Sequence, residues 1–201
     1  MQQKQPDTGY QYTDARLEKP KKKGFWAEVL SWLKDLLWAA VVILLVSTFL
    51  IQPVRVQGSS MCDTLQDGEL MLVTKPEYLF GDPAFGDVVI CRYPGRGLTF
   101  FVKRVMGLPG DTIEIRDNVV YRNGTAVEES YLTPERNNNG FDMPPFHLGE
   151  EEYFVMGDNR DASHDSRNYY SDGTPSAITR NMICGHVRWV AFPFTGIRTI
   201  E

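Results

Sequence analysis

One long apolar stretch stands out near the N-terminus. It covers residues 36–52, reads LLWAAVVILLVSTFLIQ and contains no charged side chain. A tilted helix needs about 17 to 25 such residues to cross a bilayer, so this stretch predicts one membrane span. No polar stripe at helical spacing interrupts it, which favours a span over a buried core helix. Trp32 and Trp38 lie where interfacial aromatic side chains occur in membrane helices, and residues 25–33 predict an amphipathic lead-in.

Beyond Pro53 the pattern changes to short β-branched or aromatic segments separated by Gly, Pro, Asn or Asp, which predicts an all-β domain. Turn signals at positions 117–118 and 123–124 mark tight hairpins between neighbouring segments. The polar residues 137–140, with Pro144-Pro145 soon after, predict a loop. The predicted strands cover residues 53–57, 69–74, 87–93, 99–106, 112–116, 119–122, 152–156 and 186–191.

The composition is that of a folded protein, since 42% of the 201 residues are hydrophobic and 23% are charged. This is too apolar for a disordered chain and is sufficient for one modest domain plus an appendage. The formal net charge is −5. Nucleic-acid-binding domains carry a strong positive patch, so we expect no nucleic acid among the partners.

Charge is distributed unevenly on the two sides of the apolar stretch. Residues 1–35 carry seven basic and five acidic side chains, and four of the basic ones cluster at positions 19–23, on the N-terminal side of the stretch. Only Arg55 lies close behind it, so the positive-inside rule places the N-terminus in the cytoplasm and the bulk of the chain outside. No A-x-A-like pair of small residues follows, which favours an uncleaved signal anchor over a cleaved signal peptide. We therefore predict a cytoplasmic tail over residues 1–35, mobile in its first 20 residues, a transmembrane helix over 36–52 and an extracytoplasmic domain over 53–201.

The three cysteines give no sign of a metal site. Cys62, Cys91 and Cys184 are far apart in sequence, show no C-x-x-C spacing and lack clustered histidines. Cys91 lies inside an apolar run, where a small buried thiol is the expected role. A disulfide between Cys91 and Cys184 is the alternative.

A candidate nucleophile lies close behind the predicted span. Ser60 belongs to the sequence Gly58-Ser59-Ser60-Met61, so an extended chain places it within about 25 Å of the bilayer surface. A reactive group at that distance meets membrane-tethered substrates. A serine beside a glycine is no sign of catalysis by itself, because the hydroxyl needs a base.

Lys103 is the candidate base. Residues 53–201 contain two lysines and twelve arginines, and Lys103 lies inside the predicted strand 99–106 with Phe101 and Val105 on its own face. Burial among such neighbours lowers a lysine pKa and leaves a neutral amine that accepts a proton from a serine hydroxyl. A lysine that snorkels from a sheet edge is the alternative at this point.

A dense polar loop over residues 157–167 follows the predicted strand 152–156. Its aspartates and arginines can pair with one another and with Arg104, which points to the strand face opposite Lys103. Ser163 can form a hydrogen bond with a neutral amine. His164 suggests a Ser-His-Asp triad, but a single histidine in a charged loop is more often exposed to solvent.

In combination, these features resemble bacterial type I signal peptidases, and the short chain with one span is most similar to the enzymes of Gram-positive bacteria. The features that carry the resemblance are the basic tail, the signal anchor, Gly58-Ser59-Ser60-Met61, Phe101-Val102-Lys103-Arg104-Val105 with Gly107-Leu108-Pro109-Gly110-Asp111, Gly157-Asp158-Asn159-Arg160, Ser163 and Asp165-Ser166-Arg167.

The resemblance implies the roles of the site residues. Ser60 would be the nucleophile, Lys103 the general base of a Ser-Lys dyad, and Ser163 the group that orients the lysine. Two ion pairs, Asp158 with Arg104 and Asp165 with Arg167, would hold the site. Some relatives place a serine hydroxyl as oxyanion donor where this chain has Gly58, which offers only its backbone, so the Ser60 backbone N–H would carry more of the stabilisation. The Gly58 backbone is one candidate for the second donor, which stays open. A further departure is Asp63, where the family commonly has proline.

The resemblance also implies an antiparallel β catalytic domain whose apolar surface rests on the lipid bilayer. The substrates would be exported preproteins with signal peptides, cut after small residues at the first and third positions before the bond, with no cofactor and no metal. It leaves the oligomeric state open. Two alternatives remain: a specialised Ser-Lys processing protease with another client, and a membrane-anchored β domain that binds a partner without chemistry.

Overall fold

The described part of the chain begins with a long apolar helix, α1 (Phe25–Phe49). The structure is a computed structural model that describes residues 24–62, 64–93, 97, 99–168 and 173–200. The segment Phe25–Val46 is long and apolar enough to cross a membrane. The tail predicted to be mobile lies outside the described residues.

The predicted C-terminal end of this helix was wrong. The proposed lead-in and span form one continuous helix that begins at Phe25. It ends at Phe49, whereas the prediction extended it to residue 52. Ile51 and Gln52 belong instead to the first strand, because they pair with Thr74 and Val73 of the second strand.

The rest of the described chain is mainly β, as the sequence predicts, and every strand pair is antiparallel. This confirms the fold class. The elements are β1 (Ile51–Arg55), β2 (Leu70–Thr74), α2 (Glu77–Phe80), β3 (Val88–Arg92), β4 (Phe100–Gly107), β5 (Thr112–Arg116), β6 (Val119–Arg122), β7 (Thr125–Ala126), β8 (Met143–His147), β9 (Glu152–Met156), β10 (Ile178–Thr179), β11 (Ile183–Phe192) and β12 (Arg198–Thr199).

The strands form two sheets. The larger has the order β1-β2-β11-β3-β4-β9-β10, with β12 paired to β11, and the smaller has the order β7-β6-β5-β8. Buried aliphatic and aromatic side chains from both sheets form a common core that includes Met106 of β4, Ile113 of β5 and Phe154 of β9. All three cysteines are free.

The prediction matched β5, β6 and β9 in full and was wrong about the loop around Pro144-Pro145. That segment is β8, an edge strand of the smaller sheet. Proline lacks a backbone N–H, and an edge strand tolerates it because one side of the strand needs no partner. The short β7, β10 and β12 and the short helix α2 were also missed.

Part of β4 pairs with only one neighbouring strand. It pairs with β3 from Phe100 to Arg104, but its register with β9 begins only at Arg104. Within the described chain, the segment Phe100–Lys103 therefore has a strand on one side only.

Candidate active site

Ser60 and Lys103 meet in the structure. Lys103 Nζ lies 2.9 Å from Ser60 Oγ, which is hydrogen-bonding distance, although the two residues are far apart in sequence. Ser60 lies in the turn that follows β1 and is half-buried. Lys103 comes from the middle of β4 and is only 2% exposed. The lysine is therefore an interior residue and does not snorkel from a sheet edge.

The surroundings of Lys103 favour its neutral form. Burial lowers the pKa of this amine, and the nearby Asp165 carboxylate opposes that effect without reversing it. Cys91 of β3 lies on the same face of the sheet as Lys103. Burial raises the pKa of its thiol to about 12, so the thiol stays protonated. A neutral amine within hydrogen-bonding distance of a serine hydroxyl can accept its proton.

The turn that carries Ser60 is held by Asn159. The backbone N–H of Asn159 donates to the Ser60 carbonyl at 3.0 Å, and its side-chain amide donates to the Ser59 carbonyl at 3.0 Å. Gly157 lies against the same turn, since a Cβ atom at this position would lie 2.5 Å from the Ser60 carbonyl oxygen. Only glycine permits this approach. Sequence reasoning quoted Gly157 and Asn159 as part of a motif but assigned them no contact.

Arg104 and Asp158 form a buried bidentate pair. Nε of Arg104 donates to Oδ1 of Asp158 at 3.0 Å and Nη2 donates to Oδ2 at 2.9 Å, with both side chains almost fully enclosed. The Thr64 hydroxyl donates to the same carboxylate. Arg104 also donates to the Gly86 carbonyl and lies 3.9 Å from the ring centre of Tyr131. These contacts connect β4, the segment that follows Ser60, and the polar loop.

Arg167 and Asp165 form the second buried pair. Nε of Arg167 donates to Oδ1 of Asp165 at 2.9 Å and Nη2 donates to Oδ2 at 3.0 Å. The Gly157 N–H donates to the same carboxylate at 2.9 Å. Burial alone would raise the pKa of Asp165, but Arg167 and the Gly157 N–H outweigh it and hold the pKa below its ordinary value. Asp165 is therefore a carboxylate beside the lysine.

Ser163 is buried, and its hydroxyl forms no hydrogen bond with Lys103. The hydroxyl acts instead on the Asp165 carboxyl, where it helps to lower the pKa. The hydroxyl packs against Gly157, where an added Cβ would collide with it. His164 is exposed, as the sequence suggests.

The two backbone groups predicted as oxyanion donors differ. The Gly58 N–H donates to the Asp67 carboxylate at 2.8 Å, so it is occupied. The Ser60 N–H has no acceptor among the described residues. Asp63 lies outside the described residues.

A second layer of the site was missed by sequence reasoning. Glu129 and Arg160 form a buried ion pair, and Arg160 Nε donates to the Gly157 carbonyl at 3.1 Å. The Tyr131 hydroxyl donates to Glu129 at 2.6 Å while its ring covers Arg104. Glu129 belongs to no recognisable motif, and only the tertiary fold brings it to the loop.

A cleft of about 290 Å³ opens beside Ser60. Its wall combines aliphatic and aromatic side chains with polar groups, and it includes part of the β4 segment that has a strand on one side only. The lining residues are Val54, Arg55, Val56, Gln57, Gly58, Ser60, Met61, Met71, Ile90, Phe100, Phe101 and Val102.

A serine hydroxyl beside a buried lysine amine is the arrangement of the serine–lysine class of hydrolases. The family model described as "Signal peptidase, peptidase S26" matches residues 29–192. The chain therefore belongs to the signal peptidase family S26, a family of proteases, and the resemblance found in its motifs is confirmed.

Two sequence relatives with known names support this assignment. The chain is 38% identical over 180 residues to a signal peptidase I of Bacillus licheniformis, an alignment that covers 86% of this chain and 94% of the relative. It is 37% identical over 186 residues to signal peptidase I P of Bacillus subtilis subsp. natto, with 89% and 95% covered. A crystal structure of a signal peptidase I from Enterococcus faecalis V583 matches 53% of this chain and 97% of its own, at 30% identity and a TM-score of 0.43.

Proposed function

We propose that this protein is a membrane-bound serine endopeptidase that removes signal peptides from exported preproteins, with Ser60 as nucleophile and Lys103 as general base. The observation that carries the proposal is the distance of 2.9 Å between Lys103 Nζ and Ser60 Oγ. Burial of Lys103 adds to this observation, because it lowers the pKa of the amine and so favours the neutral form that a general base needs.

The reaction follows from these two groups. The neutral amine of Lys103 takes the proton from Ser60 as Oγ attacks the scissile carbonyl, and a tetrahedral oxyanion forms. The resulting ammonium gives its proton to the leaving amine, so the mature protein departs and the signal peptide remains as an ester on Ser60. Lys103 then deprotonates a water molecule, which attacks the ester. As the ester bond to Ser60 breaks, the Lys103 ammonium returns the proton to Ser60 Oγ, and the signal peptide leaves with a free C-terminal carboxyl group.

The oxyanion needs a donor in place before it forms. We assign this role to the Ser60 N–H, which has no acceptor among the described residues. The Gly58 N–H can contribute only if its hydrogen bond to Asp67 breaks on substrate binding. Ser60 therefore supplies both the nucleophile and the main stabilising donor.

The ammonium formed on Lys103 needs acceptors in a site with little water. The Asp165 carboxylate supplies a nearby negative charge. We assign to Ser163 the orientation of the lysine, because its buried hydroxyl interacts with the Asp165 carboxylate that acts on Lys103, and a hydroxyl oxygen can accept a hydrogen bond from an ammonium. The pairs Arg104–Asp158 and Arg167–Asp165 keep the loop and β4 in place.

The cleft favours an extended substrate. Phe100–Lys103 has a strand on one side only, so its other side can pair with a peptide as an added strand. Exported preproteins that reach the cleft with small side chains at the first and third positions before the bond fit this arrangement. We place the N-terminus in the cytoplasm, α1 across the bilayer and the β domain outside.

Replacing Ser60 tests the proposal. The purified full-length protein in detergent should cleave a precursor that carries an A-x-A site, and Ser60→Ala should not. Cys62→Ala is the matched control, because Cys62 is the nearby rival nucleophile and its thiol contacts Gln66. The control should retain activity. Cleavage by Ser60→Ala that is lost when Cys62→Ala is added would show that the nucleophile is the thiol.

A further inference from the structure

A second cavity continues the cleft away from Ser60. The two cavities share Val54, Ile90 and Phe100 in their walls. The second has a volume of about 120 Å³, and we call it the upstream pocket. Its remaining lining residues are Gln52, Val73, Lys75 and Cys184.

The upstream pocket is a built feature of the larger sheet, since five strands contribute to it. The register of β1 pairs Gln52 with Val73, so these side chains lie on the same face of the sheet. Cys184 reaches this face from β11. Its neighbour Gly185 allows β11 to pack closely there, because a Cβ atom at this position would lie 2.6 Å from Cγ1 of Val73.

The geometry of β1 connects the upstream pocket to the catalytic serine. Gln52, Val54 and Val56 alternate along one face, and the ladder with the neighbouring chain continues to Val56, whose N–H donates to the Glu69 carbonyl at 2.8 Å. A peptide extended beside this strand advances by the same rise of about 3.3 Å per residue. It also presents every second side chain to the same face.

We propose that the upstream pocket binds the side chain of the fifth substrate residue before the cleaved bond and prefers an aliphatic side chain. The inference rests on the proposed function. If the first and third side chains point into the cleft, the fifth is the next on that face. A cavity of about 150 Å³ holds a benzene molecule, so 120 Å³ accommodates one branched aliphatic side chain. Lys75 in the lining disfavours lysine and arginine.

The test compares precursors that differ only at one position. Each has alanine at the first and third positions, and leucine or alanine at the fourth, fifth or sixth. We expect full-length enzyme to cleave the precursor with leucine at the fifth position with a kcat/KM roughly tenfold to a hundredfold higher than its alanine counterpart. The same exchange at the fourth or sixth position should change kcat/KM less than threefold, roughly, because those side chains point away.

Filling the upstream pocket supplies the second arm. In Cys184→Phe the ratio of kcat/KM for leucine over alanine at the fifth position should fall to about one, whereas the nearly isosteric control Cys184→Ser should keep the wild-type ratio. Gln52→Phe fills the opposite wall from an exposed position and serves if Cys184→Phe does not fold.

The outcomes separate this inference from the proposed function. An unchanged leucine preference in a folded pocket-filling variant, or an equal preference at the fourth and fifth positions, would overturn the upstream pocket as a binding site. Failure of the wild-type enzyme to cleave any precursor would overturn the proposed function itself. Cleavage of every precursor at the same rate would remove the inference and leave the function standing.

Discussion

The buried pair between Arg104 and Asp158 should be one of the strongest supports of the site, and Asp158→Asn tests this. The substitution keeps the shape of the side chain and removes its charge. Arg104 is then a cation at 2% exposure that has lost the carboxylate charge of Asp158. Removing one partner of a buried ion pair typically lowers the free energy of unfolding by about 3–5 kcal/mol. We expect about 3 kcal/mol, because the amide oxygen still accepts one hydrogen bond.

The matched control is Asp82→Asn. Asp82 pairs with Arg180 at 3.0 Å, nearly the same distance, but its side chain is 80% exposed. Exposed pairs contribute about 0–1 kcal/mol, since water replaces the lost partner. The comparison therefore varies burial and keeps the type of interaction constant.

Pulse proteolysis of the full-length protein in detergent and urea measures both variants, because protease removes only the unfolded β domain. With a slope of about 1–3 kcal/mol per molar urea, a loss of 3 kcal/mol moves the midpoint down by about 1–3 M. The Asp82→Asn midpoint should move by a few tenths of that amount. Equal shifts for the two variants would refute the reasoning that burial gives the Arg104 pair its importance.

Four further outcomes follow from the site. Because the pKa of Lys103 is lowered from its ordinary 10.5, initial cleavage rates should rise as the pH rises through that lowered value, and Lys103→Arg should be inactive at every pH. An active Lys103→Arg together with an inactive His164→Ala would support a histidine base instead. Glu129→Gln leaves the buried Arg160 without its carboxylate, so pulse proteolysis should show a loss of about 3 kcal/mol, and an unchanged midpoint would contradict this. The pKa of Asp165 lies below its ordinary 3.8, so the charged carboxylate contributes to stability above pH 3.8 and loses this contribution as the pH falls through the lowered pKa. The urea midpoints of wild type and Asp165→Asn should therefore converge in acid, and a constant difference between them would exclude this linkage. Protease added to intact cells without an outer barrier should digest the β domain, whereas complete protection until lysis would reverse the assigned topology.

The hairpin formed by β5 and β6 shows why much of the β domain could be predicted. Ile113 and Ile115 alternate with polar residues, and a turn signal separates the two strands. The alternation and the position of the turn therefore indicate the same pairing register between β5 and β6. The two-residue strands have too few positions to show a period. β8 carries two prolines that normally argue against a strand, and only its place at a sheet edge makes them acceptable.

The candidate site likewise contains residues that the sequence could indicate and contacts that it could not. Lys103 could be identified because a lysine within an apolar strand is out of keeping with its neighbours, and Ser60 because it follows the span in a glycine-containing turn. Their contact joins two loci 43 residues apart. Glu129 is separated from Arg160 by 31 residues and has no local signal, because an ion pair between distant residues depends entirely on tertiary packing. The same holds for the two hydrogen bonds from Asn159.

The most direct test of the central claim is the covalent intermediate on Ser60. Full-length enzyme is mixed with an A-x-A precursor, quenched with acid within one turnover and digested, and the peptide that contains Ser60 is examined by mass spectrometry. The account predicts that this peptide gains the mass of the signal-peptide segment that digestion leaves attached, less one water, through an ester bond to Ser60 Oγ. Ser60→Ala should carry no such adduct and should not cleave the precursor. An adduct on Cys62, or continued cleavage of the precursor by Ser60→Ala, would contradict it.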